Sequence, residues 1–175
     1  MTAPHSHRLS PSGFTMTELL VVIAIIAVLA SLSLTGLSYA RRVSNERATL
    51  ATIKVLESAL ERYETDFHDY PPSDGDLDGI AGAENLWKCL NTEKKEGPYV
   101  KSGDVKTVDS NNNGDPEPAD HWNQPLRYVH HRDYQNRTPN KRTFRLMSVG
   151  IDGVHENGNR SSDDIPNWNK DKPDQ

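Results

Sequence analysis

The sequence predicts an α+β protein. A long N-terminal helix, part membrane span and part amphipathic, packs on a small antiparallel β-sheet, and a C-terminal loop suited to a hard cation closes the body. Three observations predict it. Leu19 to Ala40 is a run of 22 residues without a formal charge. Val43, Leu50, Ile53, Leu56, Leu60, Tyr63 and Phe67 then recur at the spacing of one helical face, with no proline from Tyr39 until Pro71 and no glycine between Gly36 and Gly75. Finally, two strand-like runs, Leu126 to His131 and Thr143 to Val149, precede a segment rich in aspartate and glycine.

Taken as a helix, the uncharged run reaches about 33 Å, enough for a hydrocarbon core of about 30 Å. The preceding residues, Met1 to Gly13, show no periodicity and are read as a leader or tail rather than as part of the fold. Charge alone would place Arg41 and Arg42 on the cytoplasmic side, since only Arg8 precedes the span. Glu18 stands at the mouth of the run, where an anion is costly unless something compensates it. Cleavage after Gly13 would give Phe14 a free amine one helical turn from Glu18, supplying the missing cation. The alternative is an ordinary secretory signal ending near Val28-Leu29-Ala30, but its basic region is poor and it leaves Glu18 unexplained.

The helix is expected from about Phe14 to about Thr65, with its stripe forming the core of the body. Asp69-Tyr70-Pro71-Pro72 stops it, because proline cannot continue a helix. Leu86, Trp87 and Leu90 predict a short helix over Ala83 to Leu90. The single cysteine, Cys89, excludes an intrachain disulfide and is read as an inert buried thiol. The two strands should pair antiparallel against the amphipathic helix. Adjacent strand residues point to opposite faces, so His130 and His131 are expected to be exposed and unable to share an ion. Asp109-Ser110-Asn111-Asn112-Asn113-Gly114 copies the start of an EF-hand loop, with Asp120 at its twelfth position. Pro116 and Pro118 and the lack of flanking helices favour a solvated turn there.

Only Arg8 and Glu18 are charged within residues 1–38, so all five net negative charges belong to the rest of the chain. That balance argues against nucleic acid as a partner. No nucleophile–base spacing or zinc motif is present, which argues against a membrane-anchored hydrolase. In Ser148-Val149-Gly150-Ile151-Asp152-Gly153 and Asp163-Asp164-Ile165-Pro166-Asn167-Trp168, carboxylates and glycines gather after a strand, a chemistry that suits Ca2+.

Gly13-Phe14-Thr15-x-x-Glu18 before an apolar run resembles the leader signal of type IV prepilins and type II secretion pseudopilins. The resemblance implies that a prepilin peptidase removes residues 1–13 after Gly13 and that Phe14 is N-methylated. It also implies that Glu18 meets a neighbouring subunit's terminal amine during assembly. Tyr70-Pro71, Gly97-Pro98-Tyr99 and Asp120 to Tyr128 resemble the major pseudopilins of type II secretion, with His121 in place of the usual proline and Asn123 in place of the usual glycine. Thr35 stands where many members carry a proline that kinks the helix. The C-terminal pattern is similar to that family's calcium loop, which implies Asp152, Asp163 and Asp164 as side-chain ligands and Val149 and Ser161 as carbonyl donors, across a longer insert at 154–162. Residues 14–38 would then be the membrane half of the helix and 39–175 a periplasmic domain, with the N-terminus cytoplasmic. The implied role is a structural, non-enzymatic subunit of a helical homo-oligomeric fibre, the periplasmic pseudopilus. Minor pseudopilins, the inner-membrane secretion platform and the membrane are its implied partners. The alternative is a type IV pilus or competence pilin; the missing disulfide and the calcium-like tail count against it.

Overall fold

The structure is a computed structural model that describes residues 13–101, 103–134, 143–159 and 162–168, without the side chains of 32–36. The expected leader therefore lies, Gly13 apart, outside the described residues. The chain divides into two units, 1–41 and 42–175.

Helix α1 (Met16–Phe67) begins in the first unit, where Leu19, Val21, Ile23, Ile26 and Leu29 are all exposed. A helix that is apolar all round is stable only when something other than water surrounds it. Among the described residues no helix is long and apolar enough to cross a membrane; the span expected at 14–38 includes positions 32–36, outside the described side chains. The backbone is helical at Thr35 and Gly36.

The second unit contains the rest of α1, α2 (Ile80–Leu90), β1 (Thr107–Val108), β2 (Glu117–Pro118), β3 (Arg127–His130), β4 (Phe144–Ser148) and β5 (Ile165–Pro166). Strands β3, β4 and β5 form one antiparallel sheet in that order, with Tyr128 opposite Leu146 and Ser148 opposite Ile165. Strands β1 and β2 form a two-stranded ribbon that the sequence reading did not anticipate. Ile53, Leu56 and Leu60 of α1 share one core with Leu86 and Leu90 of α2 and with Tyr128, Phe144 and Leu146 of the sheet. Tyr63 and Phe67 pack on it, their rings stacked at 4.4 Å. Helix α2 lies so close to β3 that a Cβ added at Gly82 would collide with the Tyr128 carbonyl. The main chain of Gly79 also accepts the Tyr128 N–H at 2.9 Å.

Two expectations fail here. Leu50 is not core: it is 39% exposed, and its neighbour Thr49 is buried instead, its Oγ1 accepting the His121 N–H at 3.2 Å. A hydroxyl satisfied by a loop amide can occupy a core position that a pattern of apolar letters passes over. The histidines are not an exposed pair on opposite faces. β3 ends at His130, the chain turns at His131, and the two rings come to 4.2 Å with His130 only 4% exposed. Alternation holds only while the strand continues.

The core reading is checked by equilibrium unfolding of the full chain in detergent micelles, followed by the fluorescence of its three tryptophans. Leu60→Ala should cost about 2–5 kcal/mol. Leu50→Ala should stay within roughly 0.5 kcal/mol.

Candidate functional site

β4 delivers the chain into a loop that β5 closes, and the loop's acidic residues meet there. Asp152, Glu156 and Asp163 each bring a carboxylate oxygen to within 4.8 Å of the other two. Asp163 is positioned by the backbone: its Oδ2 accepts the N–H groups of Ile151 at 2.7 Å and Asp152 at 3.2 Å. That approach requires glycine at 150, where φ is +70° and an added Cβ would collide with the Asp163 carboxylate. Asp152 Oδ1 accepts the Val154 N–H at 2.8 Å. Asp164 is buried, and its Oδ2 accepts the N–H groups of Glu156 at 3.1 Å and Gly158 at 2.8 Å, shaping the turn that presents Glu156.

Of the five residues expected to hold an ion, Asp152 and Asp163 come together, and Asp164 stands behind them as the support of the turn. Val149 is fully buried at the end of β4, and Ser161 lies outside the described residues. Glu156 was missed, because it sits in the stretch treated only as an insert. Three carboxylates this close repel one another by about 1 kcal/mol per pair even at the dielectric constant of water. Among the described residues, Asp163 Oδ1 and Asp164 Oδ1 are buried without a hydrogen-bond partner, an arrangement that is costly unless a cation compensates it. An all-oxygen, anionic donor set with two orphaned oxygens fits a hard divalent cation.

The EF-hand-like segment is organised differently. Asp109 accepts the N–H groups of Asn113 and Gly114, and the Asn111 and Asn113 amides donate to Glu84 Oε1 of α2. Asp120 does not turn towards it. It is fully buried, with Oδ1 accepting the N–H groups of Trp122 and Gln124 and Oδ2 accepting the Ser148 hydroxyl at 2.6 Å. Asn123 takes the left-handed conformation at φ 67°, which asparagine tolerates better than most residues.

At the other end of the chain, Gly13 has open space around it and Phe14 is 79% exposed. Glu18 is already partnered: its Oε2 accepts both the Thr15 N–H and the Thr15 hydroxyl at 2.8 Å, while Thr15 Oγ1 accepts the Glu18 N–H at 3.3 Å. This reciprocal pattern is a capping box, legible in the spacing Thr15-x-x-Glu18 and overlooked there. Cys89 is half-buried, and burial pushes its thiol above the ordinary range, as suits an unreactive side chain.

A family model described as type II secretion system protein G matches residues 38–168, and the prokaryotic N-terminal methylation motif matches residues 9–34. The chain is similar to the type II secretion system core protein G of Escherichia coli (strain K12), with 33% identity over 157 residues, covering 89% of this chain and 90% of the relative. It is 30% identical over 159 residues to the core protein G of Vibrio cholerae, covering 90% and 92%. Against that of Pseudomonas aeruginosa it is 29% identical over 163 residues, covering 92% and 97%. The chain belongs to the type II secretion system protein G family.

Asp164→Ala should leave the Glu156 and Gly158 amides unpaired and destabilise the loop by about 1–3 kcal/mol. Limited proteolysis should then cut near 156–158 faster than in the parent protein; equal rates would show that Asp164 does not hold the turn.

Proposed function

We infer that this chain is the major pseudopilin of a type II secretion system, a structural subunit and not an enzyme, made as a precursor that prepilin peptidase processes. The observation that carries this reading is the pairing, in one chain, of the methylation motif at 9–34 with the protein G match at 38–168. Cleavage falls after Gly13, and Phe14 becomes the methylated first residue. The uncharged run from Leu19 holds the subunit in the inner membrane, N-terminus in the cytoplasm and body in the periplasm. The subunits assemble into a fibre, the periplasmic pseudopilus, together with minor pseudopilins and the inner-membrane secretion platform.

In this scheme Glu18 sets register. The carboxylate that Thr15 holds in the single subunit turns to the amine of a neighbour's Phe14, a pairing worth most where water is scarce. The apolar helix surfaces supply the attraction. The C-terminal loop binds one Ca2+ through Asp152, Glu156, Asp163 and Asp164 Oδ1, with Asp164 Oδ2 also holding the turn and the Val149 and Ser161 carbonyls as further donors. Orphaned oxygens at Asp163 and Asp164 and the crowding of three carboxylates support that reading. The ion does the closing that a disulfide would do elsewhere, because it binds only the folded loop.

Mass spectrometry of the membrane-extracted protein should find N-methylated Phe14 as the first residue; a mature start at Ser31 would restore the secretory-signal reading. Glu18→Leu should be processed normally yet yield no fibres, and normal fibres from that strain would remove the pairing role. For the ion, Ca2+ at a hundredfold excess over its Kd should stabilise the processed full chain by about 2.7 kcal/mol, read as a rise in Tm in micelles. Asp163→Asn and Glu156→Gln should shrink that rise and Asp109→Ala should not. A rise lost only with Asp109→Ala would move the ion to the asparagine-rich turn.

A further inference from the structure

We propose that Asp69, His130 and His131 form a second cation site, built for a borderline transition metal such as Zn2+ and separate from the C-terminal loop. Each offers one ligand atom, and these atoms lie within 4.8 Å of one another. Two pieces of chain deliver them: the segment just past the end of α1 gives Asp69, and the junction between β3 and the turn that follows gives the adjacent His130 and His131. The Asp69 carboxylate is held by Arg132, whose guanidinium lies 2.8 Å from Oδ2, and its Oδ1 stands 3.0 Å from His130 Nε2. His131 is fixed by its backbone N–H, which donates to the Thr143 carbonyl at 3.1 Å.

The sharpest observation is at His131. Its Nδ1 is buried and, among the described residues, has no hydrogen-bond partner. Leaving a ring nitrogen dry and unpaired is costly, and a metal bond at Nδ1 would relieve that cost. Access exists as well, since a cavity of about 290 Å³ opens onto Asp69 and His130 between Tyr70, Asp74 and Asp133. Two further carboxylates, Asp74 and Asp133, line it beside the Arg132 guanidinium.

The donor set selects the metal. Two imidazoles and one carboxylate suit Zn2+, Ni2+ or Cu2+, whereas Ca2+ and Mg2+ prefer oxygen alone. The two candidate sites therefore divide cations between them. With bonds of about 2.0–2.1 Å, a tetrahedral zinc sets its ligand atoms about 3.3 Å apart, so side-chain rotations must close the present spacing by roughly 1.5 Å at most. Solvent would take the fourth position. One proton must also move. His130 Nδ1 accepts the Arg132 N–H at 3.1 Å, so its proton is on Nε2, facing Asp69. Metal entry at Nε2 transfers that proton to Nδ1 by way of solvent, and the hydrogen bond from the Arg132 main-chain N–H is given up. No net proton is released by this ring. Once bound, the ion would fasten the end of α1 to the end of β3.

The test uses the processed full-length protein in detergent micelles with saturating Ca2+, so that the C-terminal loop is filled. Co2+ is the spectroscopic probe and Zn2+ the competitor. One Co2+ per chain should bind with the strong visible absorption of a four-coordinate site, and Zn2+ should displace it. His131→Ala should weaken both metals by at least about tenfold while Asp163→Asn leaves them unchanged. His130 is buried and its replacement risks the fold, so the half-buried His131 carries the test, with Asp69→Asn as the second variant. Absence of Zn2+ binding at micromolar concentration, equal binding by wild type and His131→Ala, or loss of binding in Asp163→Asn would each overturn the proposal.

Discussion

Buried carboxylates hold the second unit together. Glu117, Asp120 and Asp164 are almost completely removed from water, and each ties down a stretch of chain with little regular structure. Glu117 accepts the amide and hydroxyl of Ser110; Asp120 gathers two amides of its own turn and the Ser148 hydroxyl; Asp164 gathers the amides of Glu156 and Gly158. A hydrogen bond to a charged acceptor contributes about 1.5–3 kcal/mol, more than a neutral one, and loss of the carboxylate strands several donors at once. For a body whose one cysteine can form no internal crosslink and whose described strands run from two to five residues, these carboxylates take the place of longer ladders. Asp120 is the most consequential of them. Through Ser148 it sets the end of β4, and hence the point from which the acidic loop departs.

How much of this could be read from the letters differs by element. The apolar stripe of α1 was legible because Ile53, Leu56 and Leu60 repeat at the period of the helix, and Pro71 and Pro72 marked its end to within a few residues. β3 and β4 were legible from apolar runs flanked by polar links. Thr49 was not, because its burial depends on an amide supplied 72 residues away. The ribbon of β1 and β2 has too few residues to show a period. The histidine pair was not legible, because the strand ends between the two residues and alternation stops there. In the loop, Asp152 and Asp163 were found by type and resemblance. Glu156 was hidden because a ligand's value lies in where a turn delivers it, and that turn depends on Asp164.

The two ends of the chain are chemically alike in one respect: each concentrates negative charge at a place where folding alone does not fully neutralise it. At the C-terminal loop the residual charge is local and crowded, which suits a small ion. At Glu18 it is single and exposed, which suits a partner of similar size to itself, such as an amine on another chain. The cluster of Asp69, His130 and His131 is a third case, in which nitrogen donors change the kind of ion that fits.

The hydrogen bonds between Thr15 and Glu18 give the proposed assembly a particular economy. A subunit whose charged group already has a partner can wait as a monomer without seeking one. Joining a fibre then exchanges those hydrogen bonds for a contact with another chain. Because existing bonds are given up as the new one forms, the net gain is reduced while correct and shifted alignments are still told apart. Growth and dissolution would then be governed by the broad apolar flank of the helix, and the carboxylate would act as an alignment key rather than as glue.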